Sequence, residues 1–260
     1  MTVLEKILVN KKRELKESER RVTLKELEAM EFFFRDCISL SDSISDKQKS
    51  SIVAEFKRKS PSKGFINTSA SVEEVTAGYS RHGASGISVL TDHAFFGGNI
   101  YDLMLARRLV ETPILRKDFI IDEYQVIESK AIGADAVLLI AAALDKEQFN
   151  NLSRLARSIG LQVLLEMHNE QELDYLNEYV SIAGVNNRDL KTLKVDTEIS
   201  LGLAAKISDN YVRISESGIS SHSIIRELRK AGYNGFLIGE KFMSDADPVR
   251  AFHDFMNTIN

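Results

Sequence analysis

Short apolar runs and longer helical patterns alternate eight times between residues 52 and 258. The apolar runs are rich in β-branched and aliphatic residues, which is typical of strands buried on both faces of a parallel sheet. Strands that alternate with crossover helices belong to the α/β class of folds. The eight predicted strands are Ile52–Phe56, Ile87–Leu90, Ile114–Leu115, Ala136–Ile140, Gln162–Leu165, Ile182–Val185, Val212–Ile214 and Phe236–Ile238. The predicted helices are Val72–His82, Tyr101–Val110, Glu123–Ile132, Lys146–Ile159, Glu170–Tyr179, Glu198–Ile207, Ser221–Ala231 and Pro248–Thr258.

Two arrangements of a parallel sheet, one open and one closed, are compatible with this alternation. An open doubly wound sheet usually carries a glycine-rich dinucleotide loop after its first strand, and the chain has none there. Eight strand–helix units within 260 residues fit a (β/α)8 barrel, which typically needs about 250 residues. The last unit begins with Asp247 as an N-cap residue and Pro248 at the first helical position. We therefore predict an α/β protein with a single (β/α)8 TIM barrel over residues 51–260.

Residues 1–50 precede the first predicted strand and are predicted to form an N-terminal helical extension. A second helix of the extension is predicted over Leu24–Glu31, after a first helix over residues 3–21. The first helix has an apolar stripe formed by Val3, Leu4, Ile7 and Leu8. Such a stripe needs a partner surface, so we expect this helix to pack over the active face of the barrel. Extension and barrel would then form one structural domain.

The bulk composition excludes several classes of protein. Hydrophobic residues make up 43% of the chain and charged residues 28%, which predicts a packed core. A net charge of -4 argues against a general nucleic-acid binder. The longest apolar run, Ala136–Leu144, is far too short to span a membrane. Cys37 is the single cysteine, so no intrachain disulfide can form and we expect a reducing, cytoplasmic location.

Polar residues collect at the carboxyl ends of the predicted strands, where barrels of this kind have their active face. Side chains alternate along a strand, so Glu55 and Lys57 share one face and can pair with each other or with a ligand. A single charge at such a place is more often structural, whereas acids, bases and amides that converge favour a functional site. The polar strand ends are Glu55 and Lys57, Arg116 to Asp118, Glu166, Asn186 to Asp189, Ser215 to Gly218, and Gly239 with Glu240.

Two glycines at the ends of the last two strands indicate a phosphate site. Gly218 and Gly239 let the backbone approach a ligand closely, and loops at this place in the fold frequently hold phosphate. Ser217 and Ser60 can add hydroxyl donors. Either glycine alone would be explained by a tight turn, but the pair on neighbouring strands favours phosphate.

Other chemistries have weaker support. The five histidines show none of the usual metal-binding spacings, and no Walker A loop occurs. His168 follows Glu166 closely enough to suggest a metal pair, but an exposed loop residue is the preferred interpretation. Cys37 precedes the barrel and has no neighbouring motif of a nucleophile. The residues by themselves therefore predict an enzyme that acts on a phosphorylated substrate with no cofactor and no metal.

The motifs at the strand ends resemble those of the indole-3-glycerol-phosphate synthase family of tryptophan biosynthesis. The first of them, around the first strand, is the most specific, and the resemblance covers essentially the whole chain. The matching segments are Ile52–Ser62, Pro113–Phe119, Leu164–His168, Gly184–Leu190, Ser215–Ile219 and Leu237–Glu240. The resemblance implies a TIM barrel that converts 1-(2-carboxyphenylamino)-1-deoxyribulose 5-phosphate into indole-3-glycerol phosphate, CO2 and water.

The resemblance also implies a role for each matching residue. Lys117 would be the general acid that protonates the ribulose carbonyl, and Glu166 the general base late in the reaction. Lys57 would hold the substrate carboxylate, and Glu55 would position the two lysines. The other matches are Asn186, Arg188 and Glu216 at the hydroxyls or as orienting groups, Phe96 and Phe119 as an apolar wall, and Ser60, Ser217, Gly218, Gly239 and Glu240 at the phosphate.

Two positions depart from the family pattern. Asp92 stands where many members carry Glu, and Glu240 stands where some carry Ser, so that its carboxylate must point away from a phosphate. The division of acid roles between Lys57 and Lys117 stays open at the level of the sequence.

Two other functions are weaker alternatives. The isomerase one step earlier in the pathway would need a catalytic Cys–Asp pair, and Cys37 lies outside the barrel strands. A non-catalytic binding barrel would be favoured by loss of Lys117 or Glu166, and both are present. As partners we expect a small phosphorylated substrate, no nucleic acid and no membrane. We expect a monomer, with weak association with other enzymes of the pathway as an alternative.

Overall fold

The computed structural model describes residues 1–190 and 192–258. Within these residues, eight parallel strands close into one barrel, and each strand pairs with the strands before and after it in the chain. The barrel closes where the first strand pairs with the last, Ile52 lying opposite Phe236. The predicted (β/α)8 barrel is confirmed. The strands are β1 (Ile52–Phe56), β2 (Gly86–Leu90), β3 (Ile114–Lys117), β4 (Ala136–Ile140), β5 (Gln162–Met167), β6 (Ile182–Asn186), β7 (Val212–Glu216) and β8 (Gly235–Ile238).

Three α-helices precede the first strand, and nine more α-helices follow within the described residues. Most lie within one or two residues of their predicted bounds. The helices are α1 (Val3–Arg21), α2 (Leu24–Glu28), α3 (Leu40–Ser45), α4 (Val72–Arg81), α5 (His93–Phe96), α6 (Ile100–Leu109), α7 (Glu123–Ala131), α8 (Lys146–Ser158), α9 (Glu198–Ala204), α10 (His222–Lys230), α11 (Glu240–Met243) and α12 (Pro248–Asn257). The short helices α5 and α11 were not predicted. The last two residues and Lys191 lie outside the described residues, although the predicted barrel range includes them.

The helix predicted over Glu170–Tyr179 is wrong. A short 3-10 helix, Glu170–Tyr175, takes its place between β5 and β6. The side chain of Asn177 accepts a hydrogen bond of 2.9 Å from the backbone N–H of Tyr179. Asparagine side chains that bond nearby backbone groups compete with helix formation, which explains why the polar sequence does not continue as an α-helix.

The inside of the barrel is built from alternate strand residues. Val53, Leu115, Leu138 and Leu164 belong to one buried cluster inside the barrel, whereas their neighbours along each strand pack outward against the helices. The same alternation carries the next inward position of each strand to the carboxyl end of the barrel. The sequence pattern of apolar residues followed two positions later by a charged one therefore builds an apolar core layer with a polar layer above it.

Helix α3 packs at the amino-terminal end of the barrel. Leu40 and Ile44 from this helix are fully buried in the interior cluster. A side chain at Gly86 would collide with Leu40, and one at Gly235 would collide with Ile44. The two glycines at the starts of β2 and β8 therefore leave the space that the helix fills.

Helix α1 lies at the opposite end, over the carboxyl ends of the strands. Ile7 is buried in the interior cluster, and the buried ammonium of Lys11 pairs with Asp118 at 2.8 Å and with Asp92 at 3.0 Å. Burial alone would lower the pKa of Lys11, but the two carboxylates outweigh burial and raise it. An apolar contact and a buried ion-pair cluster thus attach the helix to the loops after β2 and β3.

No helix in residues 1–190 and 192–258 combines the length and the apolar character that crossing a bilayer requires. The division of the chain into an extension over residues 1–50 and a barrel stays a prediction.

We expect Lys11→Met to lower the free energy of unfolding by about 3–5 kcal/mol, because Asp92 would stay buried without its cation and Asp118 would keep only Arg116. Urea unfolding followed by circular dichroism measures this loss. Lys12→Met is the control, since Lys12 is exposed on the same helix and its replacement should cost less than about 0.5 kcal/mol. Equal stability of the two variants would contradict an anchoring role for Lys11.

Candidate active site

A cavity of about 640 Å³ opens at the carboxyl ends of the barrel strands. Its volume suits a ligand the size of a substituted sugar phosphate. All fourteen residues to which the family resemblance assigns a role line this one cavity, although their individual roles stay predictions. They are Glu55, Lys57, Ser60, Phe96, Lys117, Phe119, Glu166, Asn186, Arg188, Glu216, Ser217, Gly218, Gly239 and Glu240.

Lys117 is the central cation of the cavity. Its ammonium contacts Glu166 Oε2 at 3.0 Å and also binds Glu216 Oε2. Each of the three side chains lies two positions beyond a buried residue that faces the barrel interior, namely Leu115, Leu164 and Ile214. Three different strands, β3, β5 and β7, thus deliver one lysine and two carboxylates to the same point.

The electrostatics of this cluster follow from burial and from mutual charge. Burial would lower the pKa of Lys117, but Glu216 and Glu166 raise it well above its ordinary value, so the ammonium is charged at neutral pH. Burial would raise the pKa of Glu166, but Lys117 and His168 hold it below its ordinary value. Burial, aided by the charges of Glu166 and Glu55, raises the pKa of Glu216 to about 7 against the pull of Lys117.

A second ion pair lies at the end of β1. Lys57 Nζ contacts Glu55 Oε1 at 2.5 Å, and the carboxylate of Glu55 is buried. The expected placement of both residues on one strand face is thus present in the structure. A side chain at Gly239 would collide with Glu55, so the chain needs glycine directly after β8, where it passes this carboxylate.

The loops after β7 and β8 border the cavity with small residues. Ser217 and Gly218 both adopt left-handed backbone angles, with φ of 67° and 75°. A side chain at Gly218 would also collide with Val195. Glycine at this position therefore has structural reasons of its own, in addition to any approach of a ligand.

Glu240 lies at the edge of this region, between two cations. Its carboxylate pairs with Lys63 at 2.7 Å and with Arg188 at 3.7 Å. Burial would raise the pKa of Glu240, but Lys63, Lys57 and Arg188 lower it. The negative charge of Glu240 is thus neutralised by its neighbours on two other loops.

One wall of the cavity is apolar. Phe96 and Phe119 lie with their ring centroids 6.0 Å apart. Val3, Leu4 and Ile7 of α1, with Leu138 and Ile140 of β4, extend this wall. The two residues of β4 were not singled out from the sequence, because that strand ends without a polar residue. Their spacing of two places both side chains on the inward face of the strand, and this spacing can be read from the sequence.

The preferred interpretation of His168 as an exposed loop residue is wrong. Only 9% of its side chain is exposed, and its ring lies between the carboxylates of Glu166 and Glu172. Strand β5 extends further than predicted, to Met167, so His168 follows it directly. Glu172 then folds back and accepts a hydrogen bond of 2.6 Å from the backbone N–H of His168.

Two further strand-end groups belong to structure outside the cavity. Arg116 points outward from β3 and binds Glu128 at 2.7 Å. Arg58 pairs with Asp102 at the start of α6. No group of three or more histidine, cysteine, aspartate or glutamate side chains within the described part of the chain is placed to hold a metal ion.

The fold and the cavity define a (β/α)8-barrel protein with a charged, ligand-sized site at the carboxyl ends of its strands. Solved structures show the same fold: the tryptophan synthase alpha subunit of Legionella pneumophila has a TM-score of 0.62 and 13% identity, covering 85% of this chain and 97% of that one. The 3-hexulose-6-phosphate synthase of Salmonella typhimurium has a TM-score of 0.59 and 13% identity, covering 80% and 99%.

Sequence comparison defines the family. The family model described as "Indole-3-glycerol phosphate synthase" matches residues 4–255. A relative of that name from Bacteroides thetaiotaomicron is 44% identical over 257 residues, 99% of this chain and 98% of the relative. Another from Chromobacterium violaceum is 44% identical over 204 residues, 78% of this chain and 77% of the relative. The chain belongs to the indole-3-glycerol phosphate synthase family.

The raised pKa of Glu216 has a consequence for stability. A carboxyl group whose pKa rises from 4.5 to about 7 on folding favours the folded state below about pH 4.5, and this advantage is lost as the pH rises through about 7. We expect Glu216→Gln, which stays neutral, to gain stability over the parent by about 3 kcal/mol between about pH 4 and about pH 8. Urea unfolding across this range measures the difference.

The matched control for this measurement is Glu227→Gln, which replaces an exposed carboxylate on α10. Its stability relative to the parent should stay constant across the same range. A Glu216→Gln variant that behaves like the control would show that ionising Glu216 in the folded protein does not lower its stability.

Proposed function

We propose that this protein is an indole-3-glycerol phosphate synthase, a carboxy-lyase of the carbon–carbon lyases. It would close the indole ring of carboxyphenylamino-deoxyribulose phosphate and release CO2 and water. The observation that carries the proposal is the pairing of Lys117 with Glu166 and Glu216 in a cavity that also holds Lys57 and an apolar wall. Membership of the family supports it.

Ring closure needs a proton donor at the substrate carbonyl. We assign this role to Lys117, whose ammonium is charged at neutral pH and lies at the centre of the cavity. As the aromatic carbon bonds to the carbonyl carbon, the carbonyl electrons move to its oxygen, and that oxygen takes a proton from Lys117. The ammonium is left as a neutral amine.

This proton transfer would prepare Glu166 to act as a base. In the free protein, the ammonium of Lys117 and the ring of His168 lower the pKa of Glu166, so it is a weak base. Once Lys117 has lost its proton, one of these two positive charges is gone and the pKa of Glu166 must rise. The acid and the base would therefore act in sequence, with the first step enabling the second.

Lys57 is the group we assign to the substrate carboxylate. Its ammonium is already paired with Glu55 at 2.5 Å, so a second carboxylate would share it with Glu55. Sharing keeps the binding of the carboxylate moderate, which matters because that group must later leave as CO2. The division of acid roles in the dehydration between Lys57 and Lys117 stays open.

The two ends of the cavity would hold the two ends of the substrate. The aromatic ring would lie against Phe96, Phe119 and the apolar residues of β4 and α1, which offer no polar competition. The phosphate would lie near the loops after β7 and β8, where small residues allow backbone N–H groups to approach it. Its proposed contacts are Ser60, Ser217, Gly218, Gly239 and Glu240.

Asn186, Arg188 and Glu216 would bind the ribulose hydroxyls or orient the acid and the base. The isomerase alternative has little support, because Cys37 contacts Lys130 at 3.1 Å outside the cavity lining. A monomeric, cytoplasmic protein without a metal or cofactor remains the expectation from the sequence.

The purified protein should convert carboxyphenylamino-deoxyribulose phosphate into an indole product with release of CO2, with no added metal or nucleotide. Indole fluorescence follows the product, and a coupled assay follows CO2. Phosphoribosylanthranilate, the isomerase substrate, should stay unchanged. Loss of turnover in EDTA, or conversion of phosphoribosylanthranilate instead, would reject the proposal.

Replacing Lys117 by methionine keeps the length of the side chain and removes its proton. We expect kcat to fall by about 10²- to 10⁴-fold, the usual effect of losing a general acid. Substrate binding, measured by fluorescence titration, should persist because Lys57 and the phosphate loops are intact. Lys63→Met is the control, because Lys63 pairs with Glu240 and not with Glu166 or Glu216, and it should change KM more than kcat. A kcat for Lys117→Met within a few-fold of the parent would rule out the acid role.

A further inference from the structure

Apart from its effect on the pKa of Glu166, His168 has no role in the chemistry described so far, yet its place in the structure is unusual. It follows β5 directly, two residues after Glu166, and lies on the same side of the chain. The carboxylate of Glu166 lines the cavity, whereas the ring of His168 does not. Only 9% of the side chain is exposed to solvent. A buried ring behind a cavity carboxylate can act only through that carboxylate.

Each ring nitrogen of His168 faces a different carboxylate. Nε2 lies 3.3 Å from Glu166 Oε1, and Nδ1 lies 3.4 Å from Glu172 Oε2. Neither contact meets hydrogen-bond geometry, and each becomes a close ion pair when the ring is protonated. A neutral imidazole has one N–H and one lone pair, and the lone pair would then face a carboxylate oxygen. The arrangement therefore favours the imidazolium, which offers an N–H to each side.

Glu172 is itself held firmly in place. Its Oε2 accepts from the backbone N–H of His168 at 2.6 Å, and its Oε1 accepts from Asn169 Nδ2 at 2.8 Å. The 3-10 helix after β5 thus presents a fixed carboxylate to the far side of the ring. Burial would lower the pKa of His168, but Glu166 and Glu172 raise it to about 10.

The two oxygens of Glu166 have different partners. Oε2 contacts the ammonium of Lys117 at 3.0 Å, and Oε1 faces His168 at 3.3 Å. When Lys117 gives up its proton during turnover, His168 is the cation that remains beside Glu166. Because its charge is fixed by Glu172, it can keep the carboxylate oriented through that step.

We propose that His168 is a positioning residue for Glu166: as an imidazolium clamped by Glu172, it holds one carboxylate oxygen so that the other stays directed at Lys117 and the reacting centre. This inference rests on the proposed function, in which Glu166 is the general base. The charged groups that face the ring are Glu166 from β5 and Glu172 from the 3-10 helix. Beyond Glu166 lie Lys117 from β3 and Glu216 from β7.

The first test measures the ring directly and needs no turnover. In NMR titrations of the parent protein, His168 should stay protonated to about pH 10. Glu172→Gln keeps an acceptor for the backbone N–H but removes the charge, and should lower the pKa of His168 by about one to two pH units. A parent His168 that titrates near the ordinary histidine value of 6.5 would overturn the clamped imidazolium.

The second test measures turnover of carboxyphenylamino-deoxyribulose phosphate. His168→Ala should lower kcat by about 10- to 100-fold, comparable to the loss when the orienting partner of a metal ligand is removed. KM should change by less than about two-fold, because the ring does not line the cavity. The acid limb of the kcat profile should move to higher pH, since Glu166 loses a cation that lowers its pKa.

Glu172→Gln provides a signature that a purely structural residue would not give. At neutral pH its kcat should stay close to that of the parent, and on the alkaline side it should fall earlier, as His168 loses its proton at a lower pH. His253→Ala is the matched control, because His253 also lies beside a carboxylate, Asp254 at 3.6 Å, but outside the cavity.

The outcomes separate the two proposals. An inactive parent would reject the proposed function, while the NMR result for His168 would still stand or fall by itself. An active parent whose His168→Ala variant melts earlier but keeps its kcat and its pH profile would show a structural residue only, and would overturn the positioning role.

Discussion

The buried ammonium of Lys117 is the interaction on which the mouth of the barrel depends. Glu166 from β5 and Glu216 from β7 both contact it, and only 3% and 1% of their surfaces are exposed. Two carboxylates so poorly hydrated would repel each other strongly without a shared cation, and one of them would take up a proton. Even with Lys117 in place, the pKa of Glu216 is raised to about 7. The site is therefore held in a costly arrangement of charge, which is typical of groups placed for chemistry rather than for stability.

Strand β3 shows how the same short segment supports both the fold and the site. The end of the strand carries three charges in succession, of which the first and the third, Arg116 and Asp118, pair with each other at 3.3 Å. Arg116 faces the helices and binds Glu128, and Lys117 faces the cavity. Asp118 receives Lys11 from α1 at 2.8 Å. Helix α1, which covers the cavity, is thus bound to Asp118, the residue next to the proposed acid Lys117.

Much of the architecture was predictable from local patterns. The strands β1 and β4 have the predicted bounds, because a short β-branched run between turn signals has few other ways to be buried. The gathering of all fourteen candidate residues at one cavity followed from a topological rule, since parallel barrel strands end on the same face. Instead of the helix predicted at Glu170–Tyr179, a 3-10 helix ends at Tyr175, and the N–H of Tyr179 beyond it donates to the side chain of Asn177, a local detail that helical periodicity does not record.

The amino-acid sequence by itself determined the strand–helix order, the inward alternation that places charges above the apolar core, and the motifs that define the family. These depend on neighbours along the chain, so they can be inferred residue by residue. Only the tertiary structure decided which charges meet. Both carboxylate partners of His168 lie within four residues of it along the chain. The burial of its ring, however, depends on β5 continuing to Met167 and on the fold of the 3-10 helix. Lys11 and Asp118 lie far apart in the chain, and their contact exists because α1 packs across the open end of a closed barrel. Pairing of this kind depends on distances in space, which the order of residues alone does not specify.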